Sequence, residues 1–367
     1  MKSQVFACDM RTSFKENMLQ KLARIFQALE PGRSIKPRDL VAIKLHFGEQ
    51  GNTAFIRPIY IRQLVDEIAA LKAQPFITDA NTLYVGTRVQ AVQHLRTAIE
   101  NGFAYAVTGA PLMIADGLKG NSFVEVPVNA THIKTAYIGA DVYDADALIS
   151  VAHFKLHELA GFGGAIKNVG MGCASRRGKM AQHADVSPKV KTKRCIGCGE
   201  CVAHCAQSAI ALVEVDDQKK ALIDPEKCVG CGECLFRCPQ GAIMISWGKS
   251  VPLFMKKMVE YTAAVLKDKT DKSFFINFLT GITPKCDCVS HSDACLVRDI
   301  GLLASTDPVA IDQASVDLLN QEAALPGSCL TSCPPAGEDK IKSVYPHIDW
   351  EVQLESVSYT HLRAHET

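Results

Sequence analysis

The chain has 367 residues, 47% hydrophobic and 22% charged, with a formal net charge of +1. That balance excludes a strongly basic nucleic-acid binder and gives no field toward an anionic membrane surface; no run is apolar enough over a sufficient length to predict a membrane span. The opening MKSQVFACDMRTSFKENMLQ lacks the apolar core of a signal peptide, so a cytoplasmic location is expected, where the 15 cysteines read as thiols or metal ligands rather than disulfides.

In chain order, Lys2 to Cys8 reads as a strand, Phe14 to Leu29 as an amphipathic helix and Asp39 to His46 as a buried strand. Pro58 to Leu71 is a predicted helix with proline in its first turn, and Phe76 to Asp79 a short strand. Arg88 to Asn101 is helical and closes on Gly102. Leu112 to Ala115, Phe123 to Val128 and Ala147 to Ala152 are further strands. This alternation predicts an α/β fold with a mostly parallel sheet and flanking helices. From about Lys189 to Trp247 the chain becomes cysteine-rich and glycine-punctuated, and then the earlier pattern resumes. Val251 to Leu266 is helical, Ser273 to Phe278 and Leu296 to Ala304 are strands, and Asp307 caps a helix from Pro308 through Asn320. The expected organisation is therefore a discontinuous host domain, 1–188 and 249–356, with an insertion at 189–248. The last eleven residues, VSYTHLRAHET at 357–367, match one reading frame of a common transposase sequencing adapter and are set aside as foreign.

The insertion contains a repeat: CIGCGECVAHCAQSAI from Cys195 returns as CVGCGECLFRCPQGAI from Cys228. Each copy has the spacing C-x2-C-x2-C-x3-C. Thiolates at that spacing hold iron–sulfur clusters, and the fourth cysteine of each copy serves the other cluster. Two four-iron–four-sulfur clusters are expected, one on Cys195, Cys198, Cys201 and Cys238, the other on Cys228, Cys231, Cys234 and Cys205. Gly197, Gly199, Gly230 and Gly232 let the backbone wrap and aim amides at sulfur. Pro239 follows the last cysteine, where the first copy has Ala206. A zinc site needs four ligands, and two interleaved sets of four have no zinc rationale. The segment resembles the bacterial two-cluster ferredoxin module, which implies an inserted α+β fold and one-electron relay. The run Lys189, Lys191, Lys193 and Arg194 is either a dock for an acidic electron-transfer partner or a solvated linker face.

AIKLHFGE, TDANTLYVGTR, HFKLHELAGFGGAIKNVGMGC and STDPVAIDQA resemble the "domain of unknown function 362" family in its ferredoxin-bearing form. The resemblance covers nearly all of residues 1–350 and implies membership but no assigned chemistry. His46, Glu49, Asp79, Asn81, His153, Lys155 and His157 each follow a predicted strand, where open α/β sheets place ligand sites. Of these, His46, Asp79, His153 and His157, with Lys167, are the candidate catalytic groups. Gly161, Gly163 and Gly164 form a glycine-rich turn before a helix, either an anion or cofactor cradle or a tight packed turn. It matches neither the Walker nor the dinucleotide fingerprint.

His157, Lys167 ten positions on and His183 sixteen further are also similar in spacing to the nickel-pincer lactate racemases. That resemblance implies an acid/base role for His157, a covalent cofactor tether at Lys167 and a metal ligand at His183. A second cysteine group, Cys286, Cys288 and Cys295 with His291 and Asp293, is either a further metal site, within possible reach of Cys329 and Cys333, or a set of loop thiols. Cys8 and Cys173 read as core or cleft thiols, and Asp312 as facing either the cleft or solvent. Three functions follow: electron delivery to a redox site acting on a small molecule, a non-catalytic electron carrier or adaptor, and a racemase-like enzyme with structural clusters.

Overall fold

The structure is a computed structural model and describes residues 3–83, 86–183, 188–205, 207–228, 234, 237–244, 251–330 and 334–356. Cys231, Gly230 and Gly232 of the second repeat, Ala206, Cys333 and the final segment 357–367 lie outside these residues.

The first host segment runs β1 (Val5–Asp9), α1 (Met18–Gln27), β2 (Leu40–Lys44), α2 (Pro58–Ala70), β3 (Gln74–Asp79), α3 (Ala91–Glu100), α4 (Tyr105–Thr108) and β4 (Leu112–Ile114). It continues with β5 (Phe123–Pro127), β6 (Thr135–Gly139), α5 (Ala140–Asp144), β7 (Ala147–His153), β8 (Lys155–His157), β9 (Gly161–Gly163), α6 (Ala165–Gly170) and α7 (Arg176–His183). The cysteine-rich segment carries β10 (Lys189–Val190), α8 (Glu200–Ala203), β11 (Ile210–Val215), β12 (Gln218–Ile223) and β13 (Ile243–Met244). Beyond it come α9 (Val251–Leu266), β14 (Ser273–Leu279), β15 (Gly301–Ser305), α10 (Pro308–Gln321), α11 (Lys340–Val344) and α12 (Val352–Glu355).

Seven strands form the central sheet in the order β1-β15-β14-β7-β2-β3-β4. The pairs from β14 to β4 are parallel, while β15 runs antiparallel to both β14 and β1. All seven residues of β7 are buried, as a strand covered on both faces requires. Alternation then sorts its side chains: Ile149 and Val151 join the core beneath α1 and α2, and Leu148 joins the core beneath α6, α9 and α10. Full burial of each such residue contributes roughly 1.5–3 kcal/mol.

Local chemistry explains several helix starts. Asn17 accepts from the Leu19 and Gln20 amides at 3.0 Å each, and Gln20 returns to the Asn17 amide, so α1 opens on a capping box at Met18 rather than at Phe14. Asp307 Oδ1 accepts from Val309 and Ala310 and starts α10 at Pro308. The helix expected from Arg88 begins only at Ala91, because Arg88 turns inward to Glu49. The strand expected from Leu296 begins only at Gly301. Phe123 to Val128 does form β5, but it pairs with β6 in a separate ribbon outside the main sheet.

In the cysteine-rich segment β10 pairs with β13, and β11 with β12 through Asp216 and Asp217, both in the left-handed region that a two-residue hairpin turn requires. Cys195, Cys201, Ile210, Ala221, Ile223, Cys234, Ala242 and Ile243 form a buried cluster of their own, distinct from the host cores.

Candidate functional site

The parallel strands β2, β3, β7 and β14 all send their carboxyl-end loops to one cavity of about 80 Å³. β2 supplies Lys44 and then His46, and β3 supplies Asp79. The loop before α3 supplies Arg88, and β8 supplies Lys155 and His157. Lys167 comes from α6, Lys179 and His183 from α7, and Cys286 and Cys288 from the loop after β14.

The cavity floor is an ion-pair network. Lys44 Nζ lies 3.0 Å from Asp79 Oδ1 and also donates to Leu45 O and Asn168 Oδ1. Arg88 Nε is 3.1 Å from Glu49 Oε2, and its Nη1 is 3.6 Å from Asp79 Oδ2. Burial alone would raise the Asp79 carboxyl, but Lys44 and the surrounding imidazoles and Arg88 hold it well below the usual range. Thr87 adds an amide and a hydroxyl to Glu49, which burial would likewise raise and Arg88 holds down.

Two histidines have their orientation fixed by backbone amides. Gly48 N donates to His46 Nδ1 at 3.0 Å; Leu159 N and Ala160 N donate to His157 Nδ1 at 3.1 and 3.2 Å. An accepting Nδ1 in a neutral ring places the proton on Nε2. Burial first, and then Arg88 for His46 and Lys167 for His157, keep both rings neutral. Burial with Lys167 and Lys179 pushes His183 down to about 3, and its ring stacks on Phe254 at 4.5 Å. Burial lowers Lys179 to about 8 against the pull of Asp116.

Donor atoms of His157, Cys286 and Cys288 lie within 4.8 Å of one another, a spacing at which they could share a thiophilic ion only if His157 gave up its backbone amides. The neighbouring Cys288, with Lys167 and Lys155, favours the Cys286 thiolate against burial. Asp287, between them, points away: its Oδ1 is 2.8 Å from His153 Nδ1 and its Oδ2 3.2 Å from Lys155 Nζ. Outside the cavity an open chamber is bordered by Glu49, Thr87, Glu158 and His291. His157 and Cys288 border both spaces and so form the neck between them.

In the inserted segment a small second cavity, about 10 Å³, is lined by Cys195, Cys198, Cys201 and Cys238. Backbone amides are aimed at sulfur: Ala221 N to Cys195 at 3.3 Å, Ala242 N to Cys238 at 3.1 Å and Ala209 N to Cys205 at 3.2 Å. Gly197 has φ +67°, and a side chain there would strike the Lys219 carbonyl. Cys205 and Cys228 pack against the same buried cluster as Cys234.

Residues 41–317 match the family described as "Domain of unknown function (DUF362)". The chain belongs to this family. No curated protein matches this DUF362 chain. Among solved structures, the lactate racemase apoprotein from Thermoanaerobacterium thermosaccharolyticum is similar over 86% of this chain and 55% of its own, at 12% identity and a TM-score of 0.41. The DUF362 chain thus spans little more than half the length of that protein.

Of the residues expected from sequence, this DUF362 protein brings His46, Asp79, His157, Gly163, Gly164, Lys167 and His183 to the cavity. His153 stands behind it, between Asp287 and the Thr280 carbonyl. Gly161 instead packs on Trp350. Asn81 bonds to Asp116 below the cavity. Of the two readings of the glycine turn, the tight packed turn is the one the structure favours. The Ala165 and Ile166 amides are taken by Asp312 at 2.7 and 2.9 Å, and a side chain at Gly164 would collide with that carboxylate. Asp312 therefore faces neither cleft nor solvent, and burial lifts it to about 6.

Cys295 and Cys329, expected as further partners of the second cysteine group, are not in the His157, Cys286 and Cys288 set. Sequence reasoning did not single out Lys44, Arg88, Lys179 or Asp287. Lys44 did carry a signal, a cation inside the apolar run DLVAIKLH. Among the described residues no helix is long and apolar enough to cross a membrane.

Proposed function

We propose that this DUF362 protein binds two four-iron–four-sulfur clusters on its cysteine comb and delivers electrons to a redox site in the cavity of the host fold. The observation that carries this is the second cavity, where three cysteines of the first repeat meet Cys238 of the other while Cys205 stands outside. That is the crossed set the spacing predicts for one cluster. The amides on Cys195 and Cys238 suit thiolate ligands, because N–H donors offset the charge on sulfur. When bound, the clusters supply one-electron transfer.

The host residues support the enzymatic reading over a simple carrier. α7, which precedes the insertion, lines the cavity through His183, and α9, which follows it, packs behind that ring through Phe254. Donors are on offer inside: Arg88 Nη2 is buried with no hydrogen-bond partner, and His46 and His157 present Nε2–H groups. Such a lining suits a small substrate rich in acceptor oxygens. Lys189, Lys191, Lys193 and Arg194 are exposed and offer a dock for an acidic electron-transfer partner. Anaerobically reconstituted protein is expected to hold about eight irons per chain; a preparation that takes zinc and resists iron loading would overturn the reading.

A racemase-like reading is favoured by one observation: His157, Lys167 and His183, separated in sequence, line the same cavity. Lys167 would tether an organic cofactor, His183 would hold its metal, and His157 would present a proton at Nε2. Mass spectrometry of natively purified protein tests it, with a mass addition on the Lys167 peptide expected. An unmodified peptide and no nickel would end it.

A further inference from the structure

Electrons delivered to the cavity need an acceptor, and the chain carries a pair of atoms suited to that task. Cys286 and Cys288 are two residues apart on the loop after β14, and the Val289 amide closes a turn on the Cys286 carbonyl at 3.2 Å. Asp287 between them is fully buried and held by His153 and Lys155, while Cys286 lines the cavity and Cys288 stands at its neck. Their sulfurs lie within 4.8 Å of each other, and Lys167 Nζ is 4.0 Å from Cys286 Sγ.

A metal at this place would need His157 as its third donor. His157 Nδ1 already accepts two backbone amides, which leaves the proton on Nε2 and no free lone pair for an ion. Among the described residues no other His, Cys, Asp or Glu completes the group. Two adjacent thiols beside a cation, without a third ligand, have the makings of a redox pair.

We infer that Cys286 and Cys288 form a reversible dithiol–disulfide couple at the neck of the cavity, and that this couple is the acceptor of the electrons delivered by the inserted segment. The second clause rests on the cluster reading above. In reduction the Cys286–Cys288 S–S bond breaks and takes up two electrons, one from each reduced cluster. One proton, from water in the outer chamber, goes to Cys288, and Cys286 stays a thiolate beside Lys167. The oxidant class is a small disulfide. Cys286 attacks one of its sulfurs and expels a thiolate; Cys288 then attacks Cys286, re-forms the internal bond, and releases the second half with the Cys288 proton. The net change is one disulfide reduced to a thiol and a thiolate for two electrons and one proton, and the thiolate takes a second proton from solvent.

The test uses anaerobic full-length holoprotein equilibrated with oxidised and reduced glutathione, with diamide as a smaller probe, then acid-quenched, alkylated and read by peptide mass spectrometry. In the oxidising mixtures the peptide bearing Cys286 and Cys288 is expected to lose two hydrogens, while Cys173 and Cys295 remain alkylated. Cys288→Ser is expected to leave a glutathione adduct on Cys286. Two freely alkylated thiols at every poise with both probes, or a stoichiometric zinc lost in Cys288→Ser, would overturn the couple. Dithionite should regenerate the thiols in the holoprotein, and that recovery should be lost in Cys198→Ala. A disulfide that forms normally but recovers equally in both proteins would overturn the cluster supply while leaving the couple standing.

Discussion

At the start of α6 a buried aspartate occupies the place an external anion would take. Asp312 accepts from the Ala165 and Ile166 amides and from Asn277 Nδ2 at 2.8 Å, so it neutralises the positive end of the short helix that carries Lys167. Removing it leaves two buried amides without a partner, and each orphaned donor costs about 1–3 kcal/mol. Asp312→Ala is therefore expected to lower the urea midpoint strongly and to disorder the turn from Gly164 to Lys167. A midpoint unchanged from the parent would show that water replaces the carboxylate without loss. The glycine-rich turn was legible in sequence as a turn before a helix, but its occupant was not. Asp312 lies 146 positions from Ile166, and no local pattern joins them. Arg88 was hidden for a similar reason. Its neighbours predict helix, whereas Glu49 from the loop after β2 and Asp79 from β3 pull it inward.

Between elements, the comb makes a prediction that either repeat alone does not. Cys205 Sγ accepts from Ala209 and stands away from the cavity that Cys195, Cys198, Cys201 and Cys238 line. Cys205→Ala is expected to cost the cluster built mainly on Cys228, Cys231 and Cys234, and to spare the one on the first repeat. Iron content with electron paramagnetic resonance of the reduced protein would read this; loss confined to the first-repeat cluster would refute the crossing. Cysteine spacing is a local pattern that can be read without the fold. Helices with caps or proline starts were legible too: Val251–Leu266 and the Pro308 start agree with the residues expected. Strand partnership was not. Phe123 to Val128 has the pattern of any half-buried strand, and only tertiary packing assigns it to the side ribbon with β6.

For the molecule as a whole, the buried imidazoles set the response to acid. His46, His94, His157 and His183 are all pushed below 6.5, chiefly by burial, and His94 and His183 reach about 3. In the unfolded chain the same rings take up protons near pH 6.5. Between that value and about 3 the unfolded state therefore binds more protons, and stability falls as pH falls. Each ring contributes up to about 1.4 kcal/mol per pH unit. Two such rings over two units already approach the lower end of the roughly 5–15 kcal/mol that holds a protein together. Denaturant unfolding at pH 7 and pH 4.5 is expected to show a steep loss, with His94→Gln flattening the slope; a profile level across that range would mean the rings are protonated in the folded state.

The outer edge of the central sheet sets the timing of assembly. β1 pairs with β15 alone, Val5 opposite Ser305, so about 300 residues separate the two sides of that ladder. At roughly 5–20 residues per second of synthesis, the first strand made waits about 15–60 s for its partner. The cysteine comb emerges within that interval, before β14 and β15 exist to close the sheet. On the ribosome, then, the cysteine-rich segment has time to fold while the cavity of the host sheet is still unbuilt.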